Sequence, residues 1–245
     1  RVGRFIGVSL PDARMAGFPR NEPPSRVVGA GRSGTLVPCG LPAQEDRLTA
    51  IPERPPLPSG ATDENPSGLS LWSLLVEDWT THDRNFLEPG FWAVAVHRFG
   101  NWRMGIRPKL LRAPFSLLYK CLFLGVDWLW GINICYTVKL GRRVRIWYHG
   151  GIVIGARSIG DDVHIRQNTT MGILTRDDKM GKPTIEDRVD IGAGACVLGQ
   201  VTVGHDTVIG ANSVVVKDVP PNSTVFGVPA RPVKLLRSES NSTPS

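Results

Sequence analysis

The stretch that decides the fold reads IEDRVDIGAGACVLGQVTVGHDTVIGANSVV and covers residues 185–215. An aliphatic residue begins each six-residue block in it: Ile185, Ile191, Val197, Val203, Ile209 and Val215. A small or β-branched residue stands two positions before each of the last five: Val189, Ala195, Val201, Thr207 and Ser213. This period is too short for a helical repeat and too regular for a sandwich, and it predicts a chain that coils around a triangular prism. Stacked coils then bury one continuous apolar column.

The same register occurs further upstream. Its aliphatic positions are Leu140, Ile146 and Ile152, followed by Ile159, Ile165 and Met171. The sequence predicts one added residue between Ile152 and Ile159. A larger break separates Met171 from Ile185, where the polar segment GILTRDDKMGKP (172–183) must leave the prism as a loop. Long loops on rigid scaffolds are often functional, although a tolerated surface insertion explains this one as well.

A helical region precedes the repeats. In PGFWAVAVHRFGNW (89–102) the larger apolar residues recur at helical spacing, which predicts one amphipathic helix. We expect a second helix to begin near Pro114, because proline suits the first turn of a helix. Its aromatic residues are expected to pack against a neighbouring element, and peripheral contact with a membrane surface is the alternative.

These patterns divide the chain into four parts. Residues 1–65 hold 10 of the 20 prolines and no sustained apolar period, so we expect a disordered tail. The helical region is predicted at 66–136, the β-helix domain at 137–234, and a flexible tail at 235–245.

Charge and cysteine content narrow the function classes. The net charge of +7 favours anionic partners such as a nucleotide-bearing substrate or a membrane surface. Basic and aromatic residues do not alternate, so nucleic acid is not an expected partner. The four cysteines form no CxxC pair, which predicts no metal site and suits a reducing compartment, the cytoplasm. Lys120 and Asp127 interrupt the most apolar stretch (114–136), so no spanning helix is expected.

Three segments resemble the serine acetyltransferase family, especially its polysaccharide-associated members. They are PGFWAVAVHRFGNW (89–102), IGDDVHIRQNTTMG (159–172) and HDTVIGANSVVVKDVPPNSTVFGVPARPV (205–233). The resemblance covers residues 70 to 234. It implies a mainly β fold, a left-handed parallel β-helix of hexapeptide repeats preceded by an α-helical region. It also implies a homotrimer in which acetyl-CoA, as co-substrate, lies between neighbouring chains.

The resemblance further implies a histidine that removes the proton of the acceptor hydroxyl. The family's first catalytic histidine stands three residues before the glycine of a Gly-Ile/Val-Val segment. That position is Tyr148 here, and His149 follows it, so His149 is the candidate base. The family's arginine–histidine pair in the loop corresponds to Gly181 and Lys182.

The other candidate site residues fall into two groups. Those expected to contact the acceptor are Tyr148, His164 and Lys182. Those expected to bind acetyl-CoA are Gly172, Ala193, Gly194, Ala211, Lys217, Gly227, Pro229 and Arg231. Small residues admit the pantetheine arm, and basic residues meet its phosphates.

Three functions remain open from the sequence. The first is O-acetylation of L-serine to O-acetylserine, a step of cysteine biosynthesis. The second keeps the same chemistry and uses a sugar hydroxyl in surface polysaccharide as the acceptor. The third is a non-catalytic β-helix that binds a partner.

Overall fold

The computed structural model describes residues 57–233. Its three helices are α1 Leu71–Thr81, α2 Pro89–Trp102 and α3 Lys109–Trp130, with a 3₁₀ turn at Arg103–Gly105. The strands that follow are β1 Ile132–Ile134, β2 Lys139–Leu140, β3 Arg145–Ile146, β4 Ile152–Ile154, β5 Ser158–Ile159, β6 His164–Ile165, β7 Thr170–Gly172, β8 Thr184–Ile185, β9 Asp190–Ile191, β10 Cys196–Leu198, β11 Thr202–Val203, β12 Val208–Ile209, β13 Val214–Val215, β14 Thr224–Phe226 and β15 Arg231–Pro232.

The strands form three sheets wound from one continuous chain. Sheet A contains β1, β4, β7, β10 and β13, and sheet B contains β2, β5, β8 and β11. Sheet C contains β3, β6, β9, β12 and β14, with β15 added antiparallel at its end. Every other pairing is parallel, and the chain visits the sheets in the order A, B, C through five coils. The predicted parallel β-helix with a helical lead-in is confirmed.

The hexad residues form the core of the prism. All twelve predicted inward positions, from Leu140 to Val215, are at most 2% exposed. The smaller residues two positions earlier, from Val189 to Ser213, are buried as well. Burial of one such aliphatic side chain contributes about 1.5–3 kcal/mol before the cost of ordering is subtracted. The column therefore supplies the main apolar driving force for the coils.

The predicted position of the added residue is wrong. In sheet A, Ile154 rather than Ile152 stands opposite Met171. Ile146 and Ile154 are eight positions apart, whereas Ile154 and Ile159 are five apart. Two residues are therefore added in the corner before β4, and one is removed after it. The sequence misleads because both isoleucines of β4 point inward, so either one satisfies the repeat.

Two further boundaries differ from the expectation. The second helix, α3, begins at Lys109, and Pro114 lies inside it rather than at its start. Proline in the second turn removes only one intrahelical hydrogen bond, and leucine and arginine before it favour helix. The helix ends at Gly131, whose φ of 63° an L-residue rarely adopts. β1 lies before residue 137 and already belongs to sheet A.

The predicted tails fall mostly outside the described residues. This holds for residues 1–56 of the N-terminal tail and for all of 235–245. Residues 57–65 are described, and they contact α2. The backbone N–H of Glu64 donates to Asn101 Oδ1 (3.3 Å), and Asn65 Nδ2 donates to the carbonyl of Arg98 (3.0 Å).

Buried polar side chains join the helices to the first coil. Arg98, on α2, is fully buried and forms an ion pair with Asp78 of α1 (3.0 Å). The same guanidinium donates to the carbonyls of Leu140 (2.8 Å) and Gly141 (2.5 Å). His97 contacts the carbonyl of Val138 through Nε2 (3.0 Å), and burial lowers its pKa to about 3. Neutral His97 and charged Arg98 thus satisfy backbone groups that the prism leaves open at its first coil.

A second connection lies nearer the surface. Glu77 accepts hydrogen bonds from Arg142 (2.8 Å) and Arg143 (3.2 Å) of the first coil. The Arg142 hydrogen bond holds the pKa of the Glu77 carboxyl below its ordinary value of 4.5. Stability from this contact is therefore present above pH 4.5 and is lost as the pH falls through the lower folded-state pKa.

Among the described helices, none is long and apolar enough to cross a bilayer.

Glu77→Gln tests this connection. We expect it to lower the free energy of unfolding at pH 7 by about 1 kcal/mol. We also expect it to flatten the fall in stability that acidification below pH 4.5 causes in the parent protein. Denaturant unfolding across a pH series measures both. The matched control is Glu88→Gln, since Glu88 forms no ion pair with another described residue. Equal pH profiles for the Glu77→Gln variant and the parent protein would contradict the assignment.

Candidate functional site

Successive corners between sheets C and A stack into one edge, which we call the C–A edge. It consists of residues 147–151, 166–169, 192–195 and 210–213. Backbone hydrogen bonds connect these corners. They run from Asn168 N to Gly150 O (2.9 Å), from Gly194 N to Gln167 O (2.9 Å) and from Asn212 N to Ala193 O (2.8 Å). The C–A edge is therefore one continuous, backbone-rich ridge along the prism.

Half of the predicted site residues lie along this edge: Tyr148, His149, Ala193, Gly194, Ala211 and Gly227. Gly227 extends the edge, because its carbonyl accepts from Val214 N (3.0 Å) and its N–H donates to Ser213 Oγ (3.2 Å). The structure thus brings the candidate base and four of the candidate acetyl-CoA residues onto one surface, although they are up to 78 positions apart in sequence.

The corner at residues 147–151 is the one that carries the two added residues. Gly150 and Gly151 allow the chain to turn within this longer corner, because their φ values of 98° and 65° lie in a region that glycine adopts readily. The side chain of Tyr148 is 60% exposed, and His149 is exposed beside it. Within the described part of the chain, no hydrogen bond holds either side chain. The added length therefore lifts an aromatic ring and an imidazole out of the regular edge.

Asparagine and glycine shape the rest of the C–A edge, and the sequence analysis missed the asparagines. Asn168, Gly194 and Asn212 have φ values of 58°, 72° and 55°. Each stands three positions before an inward residue of sheet A. Asparagine tolerates the left-handed region better than most residues, so this spacing was a usable signal. A Cβ on Gly194 would overlap Asn212 Oδ1, so the edge is tightly packed there.

Gly172 and Lys182 lie elsewhere. They flank the loop between β7 and β8, at the corner between sheets A and B. Gly172 accepts from Gly199 N (2.8 Å), and Lys182 N donates to the carbonyl of Met180 (2.9 Å). The strand that separates this corner from the C–A edge spans roughly 10–13 Å at about 3.3 Å per residue. Within one chain, Lys182 therefore does not lie next to His149.

Lys217, Pro229 and Arg231 form a third group. They line a cavity of about 210 Å³ at the C-terminal end of the prism, together with Asp218 and Ala230. A larger cavity of about 730 Å³ lies over sheet B and includes none of the predicted site residues. Carboxylates that line this cavity accept hydrogen bonds from backbone N–H groups of the corners. Asp161 Oδ1 accepts from Arg142 N, and Asp187 Oδ1 accepts from Asp161 N, both at 2.8 Å.

His164 lies on the outer face of sheet C, between the buried Val163 and Ile165. Its ring meets Trp147 edge-on, with centroids 5.6 Å apart. The guanidinium of Arg145 lies 3.9 Å from the Trp147 ring centroid and forms an ion pair with Asp83. The Trp147 ring, which belongs to the extended corner, therefore contacts both His164 and Arg145, and these two residues are partners in sheet C. Trp147 was not among the predicted site residues.

Asp78 of α1 is fully buried against Arg98 and does not reach a surface. Within residues 57–233, no three His, Cys, Asp or Glu side chains are grouped so as to hold a metal ion.

Comparison with known proteins decides the family. The serine acetyltransferase of Helicobacter pylori (strain J99) is 33% identical over 171 residues, which are 69% of this chain and 90% of that protein. The chain belongs to the serine acetyltransferase family. The serine acetyltransferase of Mycobacterium tuberculosis is 40% identical over 147 residues, 60% of this chain and 61% of that protein. The chain thus spans about 60% of the length of that relative.

Solved structures agree with this family assignment. The serine acetyltransferase of Brucella abortus in complex with coenzyme A is 31% identical, with a TM-score of 0.56, and the match covers 66% of this chain and 67% of that one. No protein-family model matches the chain.

The C–A edge can be tested through a pair of glycines. Gly194→Ala forces an L-residue into a positive φ and against Asn212, so we expect a loss of about 1–2 kcal/mol of stability. Gly172→Ala is the control, because a Cβ there meets open space, and we expect a change within about 0.5 kcal/mol. Denaturant midpoints compare the two variants. Equal midpoints would mean that the edge is not packed as described.

Proposed function

We propose that the protein is an acetyl-CoA-dependent O-acetyltransferase and that L-serine is its acceptor. The observation that carries the proposal is the C–A edge, where an exposed imidazole stands at the end of a ridge of small residues. Membership of the serine acetyltransferase family supports both the co-substrate and the acceptor. Cys121, Cys135 and Cys196 are free thiols, which fits a reducing compartment such as the cytoplasm.

The reaction needs a base because a hydroxyl is barely ionised near neutral pH. In the proposed mechanism, a nitrogen of His149 takes the proton of the acceptor hydroxyl, and the oxygen attacks the thioester carbonyl. The tetrahedral intermediate collapses by breaking the carbon–sulfur bond. The imidazolium then returns its proton to the leaving CoA thiolate. The developing oxyanion needs hydrogen-bond donors beside the thioester carbonyl.

The acetyl-CoA site follows from the same ridge. Ala193, Gly194, Ala211 and Gly227 present little side chain, so an extended pantetheine arm can lie against the backbone. Lys217 and Arg231, beside the C-terminal cavity, are the charges we assign to the phosphates, with Pro229 as a rigid neighbour.

We infer a homotrimer from the distribution of the candidate residues. Gly172 and Lys182 flank a loop on one edge of sheet A, whereas Tyr148 and His149 lie on the other. Three copies around an axis parallel to the prism would set the loop of one chain against the C–A edge of the next. The acceptor would then contact Tyr148 and His164 of one chain and Lys182 of its neighbour.

A sugar hydroxyl is the second candidate acceptor. The family's arginine–histidine pair corresponds to Gly181 and Lys182 here, and the extended corner carries Trp147 and the exposed ring of Tyr148. Flat aromatic surfaces suit the apolar face of a sugar ring better than the charged ends of serine.

An acceptor screen with purified full-length protein distinguishes the candidates. Free thiol released from acetyl-CoA is followed with L-serine, with oligosaccharides, and without acceptor. Release that requires serine supports the first candidate. The second candidate is supported if no thiol is released with serine and thiol is released with a saccharide. No release with any acceptor, despite CoA binding in a separate assay, would favour a binding protein and overturn the proposal.

His149→Gln is the test of the base. We expect thiol release at saturating acceptor to fall by about 100-fold or more, since general bases contribute about 10²–10⁴-fold. His205→Gln is the matched control, because that imidazole lies on a different edge and pairs with Asp206 (2.7 Å). If His149→Gln kept half of the parent rate while Tyr148→Phe abolished it, the tyrosine rather than the histidine would hold the reacting proton.

A further inference from the structure

Helix α3 carries an exposed apolar face that acetyl transfer does not use. We define this outer face by six exposed residues: Leu110, Leu111, Leu117, Leu118, Trp128 and Leu129. Leu110 is 86% exposed and Trp128 is 80% exposed. The face runs from Leu110 to Leu129 and therefore extends for about 29 Å at 1.5 Å per residue. Soluble surfaces rarely expose so long an apolar stripe unless it binds something.

The opposite face of α3 is firmly docked. Tyr119 and Val126 are buried in the core. Phe115 contacts the rings of Phe99 and Trp102, with centroids 6.4 and 5.6 Å apart. The helix is therefore held in place by one face while the other is left to solvent. A partner must therefore accept a fixed stripe rather than fold around a loose segment.

Charge around the stripe indicates the kind of partner. Arg107, Lys109 and Lys120 are exposed. Lys109 and Lys120 lie within about 20° of each other on a helical wheel, so they form one border of the outer face. Asp127, the sole acidic residue of α3, is half-buried and accepts a hydrogen bond from Asn133 (3.3 Å). The face is thus apolar with a positive border and no exposed acidic side chain of its own helix.

We propose that the outer face of α3 docks on an anionic lipid surface, with the helix lying in the plane of the membrane. Leucines enter the boundary between headgroups and acyl chains, and the border lysines meet lipid phosphates. Trp128 suits that boundary because its ring is apolar and carries one N–H donor. A second copy fits less well, because two such faces would place positive borders near each other without acidic partners.

Vesicle flotation of the full-length chain tests this proposal. We expect the protein to float with vesicles of phosphatidylcholine and phosphatidylglycerol. With vesicles of phosphatidylcholine alone, we expect it to remain in the bottom fraction of the gradient. Added salt is expected to weaken the binding, because it screens the lysines. Leu111→Glu with Leu118→Glu is expected to reduce the bound fraction at least about tenfold. Lys109→Glu with Lys120→Glu is expected to remove the preference for phosphatidylglycerol.

The controls carry the same changes elsewhere. Leu87→Glu alters an even more exposed leucine outside α3, and Arg84→Glu reverses an exposed positive charge away from it. Both are expected to float like the parent protein, and thiol release by all variants is expected to stay within about twofold. If the parent protein does not bind anionic vesicles, the proposal is overturned. It is also overturned if sedimentation shows that the leucine variant loses subunits, because a second copy then covers the face. Neither result bears on acetyl transfer.

Discussion

The stacking of inward aliphatic residues from coil to coil is the constraint on which this structure depends. Each coil buries one residue per sheet beneath the equivalent residue of the next coil, as Ile154, Met171 and Val197 do in sheet A. Because the column is continuous, the corners outside it must stack as well. The three edges of the prism are therefore consequences of the core, and the chemistry of each edge depends on which residues occupy its corners.

The candidate site arises where that regularity is relaxed. Two added residues in the corner at 147–151 cost no inward contact, since β4 still buries Ile152 and Ile154. They leave Tyr148 and His149 exposed at the end of the C–A edge, which also carries Arg166 and Gln167 among its small residues and asparagines. The helical region packs against the same first coils through Arg98 and His97. The docked helices and the stacked coils together fix the position of the extended corner that carries Tyr148 and His149.

Much of this was predictable from the sequence, and the failures have physical causes. Hexad spacing predicted the buried column. The period of α2 predicted a helix, but its amphipathic character is wrong, because residues off the apolar stripe such as Ala93, His97 and Asn101 are buried as well. The added residues were misplaced because Ile152 and Ile154 both fit the repeat. Pro114 misplaced the start of α3, since proline also fits a second turn when good helix formers precede it. Which candidates share an edge depends on the coil geometry and not on their distance along the chain. Ala193 and Lys182, for example, lie close in sequence but on different edges.

A crystal structure with bound CoA tests the central claim most directly. The account predicts that the pantetheine lies along the C–A edge against Ala193, Gly194 and Ala211, with its sulfur within reach of the corner that carries His149. CoA bound in the cavity over sheet B, with the C–A edge facing solvent, would contradict it.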